Sequence, residues 1–151
     1  MTSELMALRE LVERYALHVD RRALDDLVEL FTPDGVLLVP RPPETLTPTF
    51  ERHGRDAIRA AMGSLDRYDA TLHAVVGHVV GHVIDGADGS ASATGVVTCL
   101  AHHVLDDRAS VWALHYDDHY ANDQGVWRFS RRALTVEWIE ERPVSHLRRG
   151  P

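Results

Sequence analysis

The chemistry this chain could perform near neutral pH rests on its histidines and the carboxylates able to orient them. Ten histidines occur in 151 residues. His73 lies in Thr-Leu-His-Ala-Val-Val-Gly-His (71–78), a run that reads as a strand. A carboxylate that pairs with a buried histidine fixes its tautomer and raises its basicity, which makes a general base. Asp20 could serve His73 in this way, but only a fold can join residues so far apart. Alternation alone does not aim His73 inward. Its face carries Thr71, Val75, Gly77 and Val79, the other carries Leu72, Ala74, Val76 and His78, and neither is plainly the wet one. Arg132 poses a second question. In a strand it shares a face with Leu134, Val136 and Trp138, which favour burial. A guanidinium buried there needs an acidic partner or a ligand.

Other candidates carry weaker signals. His102 and His103 are adjacent, so in a strand they point to opposite faces, and one of them could enter a cavity. His78 and His82 stand four apart, but their β-branched and glycine-rich setting argues for a strand, and no further ligands stand at metal spacing. Cys99 lacks an activating arrangement and reads as a small buried residue. Tyr15 lies on the apolar stripe of a helix, a core position whose hydroxyl needs a partner. The chain has no phosphate-binding glycine loop and no Gly-x-Ser-x-Gly nucleophile motif.

These residues must be positioned by the elements around them. Residues 4–20 read as an amphipathic helix with Leu5, Leu8, Val12, Tyr15 and Val19 on one side and Ser3 as its N-cap. Asp20 falls near the edge of that stripe, about 100° from its middle. A short helix fits 22–31, ended by a Thr-Pro-Asp-Gly turn (32–35). A short strand over 35–40, a proline-rich loop over 41–48 and a third helix over 54–68 follow. From Ala70 the period becomes two, giving long strands over 70–84, 92–105, 111–120 and 126–138. Helices followed by an antiparallel meander predict an α+β domain over residues 1–141, with a basic tail over 142–151. A strongly twisted sheet of this kind can curl around a cavity that helices close at one side.

Composition narrows the class. The hydrophobic fraction of 44% and charged fraction of 26% are those of an ordinary globular protein, and the net charge of -7 argues against a nucleic-acid partner. One cysteine permits no internal disulfide, no signal peptide is evident and no apolar run is long enough to span a membrane, so a cytoplasmic protein is expected.

Several stretches together resemble a known family. They are Leu-Val-Glu-Arg-Tyr-Ala-Leu-His-Val-Asp-Arg-Arg (11–22), Leu-Phe-Thr-Pro-Asp-Gly-Val (30–36), Ala-Thr-Leu-His (70–73), Cys-Leu-Ala-His-His (99–103) and the run from His115 to Arg132. In this order they resemble SnoaL-like domains of the nuclear-transport-factor-2-like superfamily, on the branch of scytalone dehydratase, bile-acid 7α-dehydratase and hexachlorocyclohexane dehydrochlorinase. The resemblance implies a cone of curved antiparallel sheet closed by three N-terminal helices, with an apolar ligand pocket inside. It also implies an Asp–His pair, which falls on Asp20 and His73, and an arginine that falls on Arg132. Tyr15 matches a tyrosine of the bile-acid enzyme, and His102 or His103 a second pocket histidine. That enzyme's catalytic arginine would fall near Val136, and its charged middle-strand aspartate has no evident match here.

The function implied is a cofactor-independent dehydratase-type lyase acting on a hydrophobic cyclic molecule, polyketide- or steroid-like. His73 would remove a proton, Tyr15 or His102/His103 would supply one, and Arg132 would face His73 and Asp20 to stabilise developing negative charge, or else simply neutralise Asp20. No metal or organic cofactor is required. The same pocket would also suit a polyketide cyclase or isomerase, or a non-catalytic binding or assembly module, in which Asp20, His73 and Arg132 need not converge. A homodimer or homotrimer is expected, with Trp112, Leu114, Tyr116 and Trp127 as candidates for the outer sheet surface.

Overall fold

A computed structural model describes residues 2–150, so Met1 and Pro151, the outer ends of the expected domain and tail, lie outside the described residues. Helix α1 (Thr2–Asp20) turns Leu8, Leu11, Val12, Tyr15, Ala16 and Val19 into the core. Leu5 stays 37% exposed, and Ser3 falls inside the helix, where no N-cap role is open to it. The chain reverses at Arg22, a non-glycine residue with φ +56° just past the helix end. Its side chain holds that turn together, donating to the carbonyls of Val19 and Leu65 and to the hydroxyl of Thr71.

Helix α2 (Leu24–Glu29) leads into β1 (Phe31–Val39). The Thr-Pro-Asp-Gly stretch is not a free turn. It lies within β1, as an interruption between the Phe31–Phe129 and Val36–Arg131 pairs. Pro33 can donate nothing to a ladder, and a Cβ on Gly35 would come within 3.0 Å of the Thr32 carbonyl, so the strand bends without ending. A short strand β2 (Phe50–His53), absent from the sequence reading, pairs with β1 after the proline-rich loop. Then come α3 (Gly54–Gly63), a 3-10 turn (Ser64–Arg67) and the strands β3 (Ala70–Val80), β4 (Ile84–Asp85), β5 (Ala91–Leu105), β6 (Arg108–Asp123) and β7 (Val126–Pro143).

The sheet order is β2-β1-β7-β6-β5-β3, with β4 attached to β5, so the architecture is α+β with a curved, open sheet. Its pairs are antiparallel except β1 with β7, which run parallel. β7 continues to Pro143, paired with Arg108, and so takes in the first two residues expected in the tail.

Three bulges re-aim side chains along the strands. In β3 the pairing passes from Val75–Cys99 to Gly77–Thr98 and leaves Val76 over. In β7 it passes Ser130 and again Glu137. Each extra residue flips the alternation. His73 and His78 therefore face the same concave side, contrary to simple alternation. On β7 the inward series is Trp127 and Phe129, then Arg132, Leu134 and Val136, then Ile139. Trp138, expected beside Arg132, is turned outward and is 60% exposed. Among the described residues no helix is long and apolar enough to cross a membrane.

Candidate active site

The concave face holds a cavity of about 230 Å³. Its inner wall comes from His73 on β3, Ala101 and His103 on β5, Trp112, Leu114 and Tyr116 on β6 and Leu134 on β7. Tyr15 of α1, Met62 of α3, and residues of the 3-10 turn and of the loop after β1 complete it. The register explains this wall. His73 pairs with Ala101, Ala101 with Trp112, and Cys99 with Leu114, so these side chains share the concave face.

Asp20, the last residue of α1, reaches His73 from behind the wall. Its Oδ1 lies 2.7 Å from His73 Nδ1, and its Oδ2 accepts the His73 backbone N–H at 2.8 Å. Thr71 donates to the same carboxylate at 2.9 Å, and Arg22 donates in turn to Thr71 at 2.8 Å. Burial alone would raise the Asp20 carboxyl. The hydrogen bonds from the His73 ring and backbone, the His73 charge and the Thr71 hydroxyl outweigh it and hold the group below its ordinary 3.8. An ionised Asp20 fixes Nδ1 as the protonated nitrogen, which leaves Nε2 as the basic one. Among the described residues Nε2 has no hydrogen-bond partner, and the His73 side chain is only 7% exposed.

His103 rather than His102 enters the cavity. Its ring lies 5.8 Å from that of His73, 4.9 Å from that of Tyr68 and 4.3 Å from that of Trp112. Burial, then the nearby His73 charge, push its pKa down to about 4. His103 is therefore neutral at pH 7. His102 points out of the concave face, its Nδ1 3.4 Å from the Leu72 carbonyl, and so is excluded from the site. Two phenols also reach the cavity. Among the described residues the Tyr15 hydroxyl has only the Met62 sulfur at 3.9 Å, and the Tyr116 hydroxyl has no partner. Burial pushes Tyr15 up to about 12 and Tyr116 well above 10. Both stay protonated and can donate to a substrate oxygen.

Arg132 departs from expectation. It is fully buried, does not line the cavity and does not touch Asp20. Its Nε and Nη2 donate to Asp118 at 3.0 and 3.2 Å across the β6–β7 rung. Its Cζ lies 4.2, 3.7 and 4.4 Å from the ring centroids of Tyr15, Tyr116 and Phe129. The guanidinium is thus a layer beneath the two phenols, where it opposes the rise that burial imposes on them. Asp118 also accepts from Tyr120 at 3.0 Å, and the Tyr120 hydroxyl lies 2.9 Å from His78 Nε2. Gly95 makes room for this chain, since a Cβ there would sit 2.9 Å from the Tyr120 hydroxyl.

The sequence reading missed Asp118, Thr71 and Arg22. It also offered Trp112, Leu114, Tyr116 and Trp127 as candidates for the outer surface, whereas all four turn inward. The outer face instead exposes Leu72, Val76, Val79, Val96 and Trp138. Cys99 is buried and burial pushes its thiol up to about 12, which suits a packing role. Among the described residues no group of three or more His, Cys, Asp or Glu side chains is placed to hold a metal ion.

Comparison with known proteins gives a consistent picture. The family model of the SnoaL-like domain matches residues 2–133. Among solved structures, Kfla4162 protein from Kribbella flavida has 24% identity and a TM-score of 0.76, covering 92% of this chain and 94% of its own. A hexachlorocyclohexane dehydrochlorinase, LinA type 2, has 18% identity and a TM-score of 0.73, covering 99% and 95%. ActVI-ORFA from Streptomyces coelicolor has 18% identity and a TM-score of 0.67, covering 88% and 97%. At such identities these likenesses establish the fold alone. The comparison with curated proteins finds no match.

Proposed function

This chain belongs to the SnoaL-like domain family, and from that premise we propose that it is a cofactor-independent lyase of the dehydratase type. The observation that carries the reading is the 2.7 Å contact between Asp20 and His73 Nδ1, which leaves His73 Nε2 unpartnered at a largely apolar cavity. Nε2 removes a proton from a carbon next to a carbonyl. The electron pair of that C–H bond forms a C=C bond to the carbonyl carbon while the C=O π pair moves to oxygen, and the enolate forms under hydrogen bonds from Tyr15 and Tyr116. Collapse of the enolate makes a C=C bond and breaks the C–O bond to a β-hydroxyl, which leaves as water with the proton returned from His73. Arg132 acts from beneath the phenols and touches no substrate atom. His103 is a neutral wall of the site. The dehydrochlorinase that shares this fold is named for an elimination of the same type.

A cavity of about 230 Å³ suits a one- or two-ring compound, since an engineered cavity of about 150 Å³ holds benzene. A steroid-sized ring system would extend through the mouth. Cyclisation or isomerisation through the same enolate would use the same residues and differ in whether water is lost. A non-catalytic module has no need of an oriented Asp–His pair, and the short contact favours catalysis. The same reading sets the protein in the cytoplasm, where a lone thiol such as Cys99 stays reduced. It also assigns self-association to the outer sheet face, where Trp138, Ala113, Leu100 and Ala74 make one apolar row across four strands.

The test is a panel of small β-hydroxy ring ketones incubated in D₂O and followed by mass spectrometry. Loss of one water is expected with the wild type, with deuterium next to the carbonyl in recovered substrate whose enolate was reprotonated, and both are abolished in His73→Ala. Unchanged turnover in that variant would end the proposal.

A further inference from the structure

The rim of the cavity carries charge that the acid–base scheme does not use. Two of its lining residues, Arg41 and Arg67, are cationic and none is Asp or Glu. The chain as a whole has 23 acidic residues against 16 basic ones, so this rim runs against the average surface. Arg41 stands in the loop after β1, and Arg67 ends the 3-10 turn before β3, in two separate segments of chain.

Both guanidiniums are exposed and held against rings. Arg41 Cζ lies 4.1 Å from the Phe50 centroid, and Arg67 Cζ lies 4.9 Å from the Tyr68 centroid. Arg67 also donates to the Tyr68 hydroxyl at 3.0 Å. A guanidinium stacked in this way keeps its remaining edge N–H groups for a ligand and has less freedom to lose on binding. Among the described residues neither forms an ion pair, whereas Arg22, Arg55 and Arg59 each hold a carboxylate. The charge of Arg67 also reaches into the cavity, as one of the influences that keep His103 unprotonated.

We propose that Arg41 and Arg67 form the anion-binding end of the substrate site, and that the substrate is a small ring compound bearing a carboxylate. The ring lies in the cavity against Trp112, Leu114 and Leu134, and the carboxylate rests at the rim, where planar N–H pairs match its two oxygens. The proposal rests on the catalytic reading only in taking the cavity as the substrate site.

The experiment is isothermal titration of the full chain with 2-naphthoate and with its uncharged relative methyl 2-naphthoate. The acid is expected to bind about tenfold more tightly than the ester at low ionic strength, with the advantage shrinking as salt is added. The double variant R41Q/R67Q should remove that advantage and leave the affinity for the ester unchanged. Equal affinity for the two probes, an advantage that survives in the double variant, or no binding of either would overturn the proposal. Turnover takes no part in this measurement. An acid preference in a protein that neither releases water from the ketone panel nor takes up deuterium would sink the lyase reading and keep the anion site. Deuterium uptake without an acid preference would do the reverse.

Discussion

Arg132 and Asp118 face each other on adjacent strands and form a two-point ion pair, at 3.0 and 3.2 Å, from which water is wholly excluded. Burying such charges costs several kcal/mol per ion, and it is offset only if the geometry is good and the other polar atoms are met. Here the Tyr120 hydroxyl meets Asp118, while Arg132 Nη1 is buried with no hydrogen-bond partner among the described residues and the guanidinium is covered by three aromatic rings instead. Removing one partner leaves the other charge bare. Arg132→Met or Asp118→Leu alone should each cost about 3–5 kcal/mol in urea unfolding, while the double variant recovers most of that loss. Additive losses in the double variant would show that the two residues do not act as a pair.

The period-two pattern that singled out Arg132 was available for its partner as well. Trp112, Leu114, Tyr116, Asp118 and Tyr120 make one strand face, and Asp118 is the charge among its apolar members. The helices, the long strands and the inward aim of Arg132 follow from such patterns. The bulges do not. Val76, Ser130 and Glu137 each insert one residue into a strand, and an extra residue that pairs with nothing leaves no mark on a hydrophobic pattern. That is why His78 seemed to oppose His73 and why Trp138 was placed inward. Asp20 and His73 were legible as a pair only through likeness to a family, because 53 residues of chain separate them and no local pattern spans that distance.

Asp20 orients His73 and accepts its proton-side contact, so Asp20→Asn should lower turnover about 10²–10⁴-fold with little change in substrate binding. The same substitution carries an acid signature. The folded-state value of Asp20 lies below its ordinary 3.8, so its contribution to stability is present above that value and fades as pH falls through the folded value. Acid unfolding of the wild type should therefore contain a step below about pH 3.8 that Asp20→Asn lacks. Identical acid curves for the two proteins would contradict the assignment.

Trp138 is 60% exposed because the Glu137 bulge turns it outward, where it joins Ala113, Leu100 and Ala74 in one apolar row. Trp138 is the exposed member of the row, Ala113 being buried and Leu100 and Ala74 half-buried, and an exposed tryptophan on such a face is a natural contact between copies of the chain. Trp138→Glu should shift the mass measured by light scattering from an oligomer to the 16.9 kDa monomer without changing the far-ultraviolet circular dichroism. A wild type that is already monomeric would refute the self-association.

His103 ties stability to pH in the mildly acidic range. Its ordinary value of 6.5 is lowered to about 4 in the fold by burial and by the charge of His73. The unfolded chain then binds more protons than the folded one between these values. Stability should rise with pH from about 4 to about 6.5 and gain nothing further from this residue above that range. One such group contributes a slope of up to about 1.4 kcal/mol per pH unit, roughly 3 kcal/mol across the window. His78, also lowered to about 4, adds a second contribution of the same sign. His103→Phe keeps an aromatic ring between Tyr68 and Trp112 and removes the titration. Urea unfolding of wild type and variant at a series of pH values from 4 to 7 should give stability curves that run together near neutrality and separate toward acid, where the wild type alone loses stability through this residue. The slope should be smaller in the variant, and parallel curves would rule out a titrating His103.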